Sequence, residues 1–128
     1  MEHSAELGRR IEVIERGYEY LLAYAAQGRQ DDAGTEVRRT LGDMHAALED
    51  IDALLAAVIG TASAAAAREA AGFIEAVGDD ARKARGSIGL VLSRSAIGSL
   101  LVDNLNASIH LRALLTDVFL ADQALRQR

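Results

Sequence analysis

No proline interrupts the 128 residues of this chain, and about one residue in five is alanine. Because proline is the poorest helix former and alanine the best, this combination favours helices throughout. The chain also has no cysteine, which excludes a disulfide framework, thiolate metal ligation and thiol catalysis. A chain of this length can bury enough surface in one core to be stable, so we expect a single all-α domain over residues 1–128.

Apolar residues recur at alternating spacings of three and four along the chain, which places them on one face of each helix. The most regular stripe runs without interruption from Val37 to Val58. Gly28 is well placed to end the first helix, and Ser63 to cap the third. The spacing predicts an antiparallel four-helix bundle with helices over approximately 4–27, 35–59, 63–85 and 87–127.

The two C-terminal helices of this bundle leave alternatives open. Gly78 is interpreted as a tolerated glycine within one continuous third helix, although it could also end a shorter one. The fourth helix is the most apolar and would be about 60 Å long at 1.5 Å per residue. It therefore either breaks near residues 93–98, which would give five helices, or projects beyond the bundle towards a partner.

Charge and hydropathy restrict the partners and the location. The net charge is −5, and 14 basic residues are spread among 19 acidic ones, which argues against a nucleic-acid partner. The longest uncharged run, residues 53–67, is shorter than the roughly 20 apolar residues that a membrane span needs. The N-terminus has neither a basic segment nor an apolar one of the kind found in signal peptides, so we expect a cytoplasmic protein.

Two histidines are predicted to lie in the middle of helices, and this arrangement resembles histidine phosphotransfer domains, which are four-helix bundles of about this size. In that family an accessible histidine has small residues and a basic residue nearby. Here His45 is followed by Ala46 and Ala47, and His110 is followed closely by Arg112. The resemblance implies an alternative function, phosphoryl transfer through His110 or His45.

Two carboxylate pairs, Glu12-x-x-Glu15 and Glu49-x-x-Asp52, resemble the magnesium-binding pairs of the all-α nucleotide pyrophosphohydrolases. That resemblance implies a second alternative, magnesium-dependent nucleotide hydrolysis, because magnesium prefers clustered hard oxygen ligands. The four carboxylates fall beside the apolar stripes and not within them. This position favours a solvated helix face over a metal site.

No constellation of nucleophile, base and oxyanion donor is evident, and no glycine-rich loop is followed by Lys-Ser or Lys-Thr. We therefore expect no catalytic residue, no metal and no cofactor. The main prediction is a non-catalytic module for protein–protein interaction, such as an adaptor, an accessory subunit or a chaperone-like protein.

The candidate interface residues come from the first and the last predicted helix. Tyr20 and Tyr24 lie outside the apolar stripe and are expected on a flanking or outer face, where tyrosines favour contacts with partners. Asn104 falls within the C-terminal stripe, while Leu101 and Leu105 widen it. A buried asparagine in such a seam commonly fixes partner number. We therefore expect a homodimer or a higher oligomer.

Overall fold

A computed structural model describes residues 2–126, with side chains through residue 125, and every regular element in that range is a helix. The all-α prediction is therefore confirmed. The number of helices differs from the expected four, and a four-helix bundle is not confirmed. The helices are α1 (Glu2–Ala25), α2 (Val37–Ala47), α3 (Ile51–Ala62), α4 (Ala64–Glu69), α5 (Ala71–Leu92), α6 (Ser99–Ser108) and α7 (Leu111–Arg126).

The core lies between α1, α5 and two pairs of shorter helices. Both α1 and α5 pack against the pair α2–α3 and also against the pair α6–α7. The stripes predicted for residues 4–27 and 35–59 face this core. Their fully buried members are Ile14, Leu21, Val37, Leu41, Met44, Leu48, Ile51 and Leu55.

The predicted continuous helix over residues 35–59 is wrong, because the chain turns between α2 and α3. Asp50 adopts a left-handed conformation with φ of 52°. The apolar stripe still faces the core on both sides of this turn, since Leu48 and Ile51 are both buried. Two arginines from other helices hold the end of α2. Arg85 donates from Nε to the His45 carbonyl oxygen at 3.0 Å, and Arg10 donates from Nη1 to the Glu49 carbonyl oxygen.

The predicted third helix is divided differently from expectation. Ser63 caps α4 as predicted, because its hydroxyl accepts the Ala66 N–H at 3.0 Å. Continuity through Gly78 is confirmed within α5. Gly78 is buried against α3, where an added Cβ would lie 2.4 Å from Asp52 Oδ2. The predicted boundary between residues 85 and 87 is wrong, since α5 continues to Leu92.

The long C-terminal helix over residues 87–127 is also wrong. The helix is interrupted at residues 93–98, where the sequence allowed for a break, and again between α6 and α7. Arg38 stabilises the first break by donating to the carbonyl oxygens of Leu92 and Arg94, each at 3.0 Å. Asp32 accepts the Ile97 N–H at 2.9 Å and pairs with Arg38 at 3.1 Å.

A polar clip, formed by Tyr24, Arg29, Ile97 and Ser99, fastens the loop after α1 to the loop before α6. Tyr24 donates its hydroxyl hydrogen to the Ile97 carbonyl oxygen at 2.6 Å. The Ser99 hydroxyl donates to the Tyr24 carbonyl oxygen at 2.7 Å and accepts the Arg29 N–H at 2.8 Å. The clip lies at the C-terminal end of α1. The opposite end of α1 lies against α3 and α7 and forms the surface described next.

Within residues 2–126, none of the helices combines the length and hydropathy required to cross a membrane.

Candidate functional site

Helix α7 has one buried face and one exposed face. The buried face carries Leu111, Leu114, Leu115, Val118 and Ala121. On the exposed face, Ala113, Thr116, Phe119, Leu120 and Gln123 form what we call the α7 ridge, and Arg112 is exposed one turn before Thr116. Phe119 is 47% exposed and Leu120 is 59% exposed, although both are large apolar side chains. None of the five ridge residues carries a charge.

A groove separates α7 from the beginning of α1, and we call it the α1 groove. It has a volume of about 390 Å³, and Ser4 and Gly8 form the α1 wall together with larger apolar side chains. Leu55 and Val58 of α3 contribute to the lining, while Phe119 stands on the α7 side. Small residues in the α1 wall leave the groove open, because an added Cβ on Gly8 would meet nothing within 4 Å.

A second groove, the α4 groove, lies on the other side of α7. It has a volume of about 280 Å³ and is lined entirely by apolar residues. Ala66, Ala70 and Phe73 form one wall, Ile59 of α3 lies between the walls, and Leu120 stands on the α7 side. Helix α4 has no buried residue, so its short alanine side chains leave this groove uncovered.

The acidic groups beside the ridge lie on its flanks. Asp122 lines the α1 groove. Asp117 lines a shallow pocket with His110 and Arg112, and burial, with a smaller contribution from the negative charge of Asp80, raises the pKa of the Asp117 carboxyl. Between these carboxylates the ridge presents two large apolar side chains, Phe119 and Leu120, beside the uncharged polar side chains of Thr116 and Gln123.

The two tyrosines proposed for an interface have different environments. Tyr24 is fully buried, so the expectation that it lies on a flanking or outer face is wrong. Its ring is held in place because its hydroxyl belongs to the polar clip. Tyr20 is half-buried, stacks on Tyr24 with ring centroids 6.1 Å apart, and accepts the Glu36 N–H at 3.2 Å. Both tyrosines stabilise the loop after α1.

The candidates on α6 do not lie where one continuous helix would place them. Leu105 is buried, Leu101 is half-buried, and Asn104 is exposed to solvent. The breaks on both sides of α6 rotate its apolar face, so Val102 is buried and Leu100 is 74% exposed. Asn104 is thus exposed in a single copy of the chain, and its proposed role at a dimer seam stays a prediction.

The two histidines are far from equivalent. His45 lies in the last turn of α2 and is half-buried, with its Nδ1 3.4 Å from Arg85 Nη2. His110 is exposed, but it lies between α6 and α7 and not in the middle of a helix, which corrects the expectation for it. Phosphoryl transfer through His110 or His45 stays a prediction.

The four carboxylates compared with a magnesium site lie on exposed or half-exposed helix faces. Glu12 pairs with Arg16 at 2.5 Å, and Asp52 pairs with Arg82 at 3.4 Å. Within the described part of the chain, no three histidine, aspartate or glutamate side chains gather in a way that could hold a metal ion. Glu12 and Asp52 are thus engaged in ion pairs with neighbouring arginines.

Comparisons with protein families, characterised proteins and solved structures returned no significant match. The geometry of the described residues is therefore the basis for a functional proposal. The α7 ridge was missed from the sequence, although a signal for it was available. Ala113, Thr116, Leu120 and Gln123 follow one another at spacings of three and four, on the side of α7 opposite to its buried stripe.

Proposed function

We propose that this protein is an interaction module with no reaction of its own, and that it binds the apolar face of another helix along α7. The observation that carries this proposal is the exposure of Phe119 and Leu120 on a helix with a mainly apolar groove on one side and an entirely apolar groove on the other. Fully burying an exposed side chain of this kind is worth roughly 1.5–3 kcal/mol, and covering the exposed half of Phe119 or Leu120 gains roughly half of that. A partner that covers both side chains therefore gains substantial free energy.

The walls of the grooves favour a helix as the bound element. Gly8 on one side of α7 and Ala66 and Ala70 on the other have little or no side chain, so a second helix can approach closely. Recognition of this kind inserts apolar residues at positions i, i+3, i+4 and i+7 into a groove. Because the ridge has no charge, the face that it accepts is apolar and not strongly acidic or basic.

A synthetic amphipathic helix tests this proposal. The probe carries leucine on one face and equal numbers of lysine and glutamate on the other, and its binding is measured by fluorescence anisotropy at submicromolar protein. We expect Leu120→Asp to weaken binding about tenfold or more, because it places a charge on the ridge. Leu100→Asp is the matched control, since Leu100 is more exposed than Leu120 but lies on α6.

Binding that is lost in Leu120→Asp and retained in Leu100→Asp supports the ridge as the docking surface. Equal binding by both variants would show that the peptide attaches elsewhere, and no binding by the wild type would overturn the proposal. Circular dichroism of both variants establishes that the helices are intact. Neither substitution removes a buried side chain.

A further inference from the structure

We draw no further inference here: the strongest candidate, the exposed face of α7 with the α1 groove and the α4 groove beside it, carries nothing beyond the proposed function, because nothing in the structure shows what covers it.

Discussion

Asp32 and Arg38 illustrate how much of this fold depends on single polar side chains. Their ion pair, 3.1 Å long, lies where the loop after α1 meets the loop before α6. Arg38 also binds two carbonyl oxygens at the end of α5, and Asp32 accepts the Ile97 N–H. One pair of side chains thus satisfies three backbone groups in the segment that leads from the end of α5 to α6, at Leu92, Arg94 and Ile97.

This pair gives the protein a defined response to acid. The Arg38 guanidinium, with help from the Ile97 N–H, holds the pKa of Asp32 below its usual value of 3.8. Because the pKa is lower in the folded chain than in the unfolded one, the contribution to stability is present above the unfolded value. It is lost as pH falls through the folded pKa.

We therefore expect Asp32→Asn to lower the melting temperature at neutral pH, and its difference from the wild type to shrink between about pH 5 and about pH 2. Thermal unfolding at several pH values measures this. Asp103→Asn, on the exposed surface of α6, is the control and should follow the wild type throughout. A difference that is constant with pH would show that the Asp32 carboxylate does not act through its charge.

At the scale of the elements, the apolar stripe from Val37 to Val58 fits either one continuous helix or two helices joined by a turn, and the turn between α2 and α3 distinguishes them. Heptad spacing alone predicts one helix, in which residue 50 is an ordinary interior position. The structure places Asp50 in the left-handed region, with φ of 52°. Glycine is more stable than alanine in the left-handed conformation, and alanine is more stable than glycine within a helix. The difference in stability between the two substitutions therefore tests the conformation of residue 50.

We expect Asp50→Gly to be more stable than Asp50→Ala by about 1 kcal/mol, because alanine is strained in the left-handed conformation. In a continuous helix the order would be reversed, with alanine more stable by about 1 kcal/mol. Urea unfolding of the two variants gives the sign directly. The comparison needs no further control, since both substitutions remove the same carboxylate.

At the scale of the whole molecule, the two ends of α1 are held very differently. The C-terminal end is fixed by the polar clip, in which Tyr24 is fully buried. The N-terminal end lies beside the open α1 groove, and α4, on the far side of α7, has no buried residue. Elements that bury little apolar surface open locally at a low free-energy cost.

Hydrogen exchange should show that α4 is held less firmly than the core helices. We expect the amides of α4 to exchange more than about tenfold faster than those in the centre of α1 and α5. Measurement by mass spectrometry at submicromolar protein avoids protection that a partner would add. Slow exchange in α4, equal to that of the core helices, would contradict the loose attachment that its exposure indicates.

Part of the fold follows from the sequence alone. The absence of proline, the abundance of alanine and the spacing of apolar residues determine that the chain is helical, and they identify the buried face of α1 and of the segment from Val37 to Val58. Ser63 was also identified correctly, since it caps α4. Gly28 has the left-handed conformation expected of it, with φ of 68°, although α1 already ends at Ala25. These features are local, because they depend on residues within one or two helical turns.

The breaks and the candidate site were decided by tertiary structure. Periodicity reports which side of a helix is apolar, but it does not report where an arginine from another helix will hold a carbonyl oxygen, as Arg85 does at the end of α2 and Arg38 at the end of α5. The spacing of apolar residues separates Leu114, within the buried stripe of α7, from Leu120 on the opposite side, but it does not show that Leu120 stays uncovered. Only the packing of distant segments determines whether the grooves beside α7 are filled.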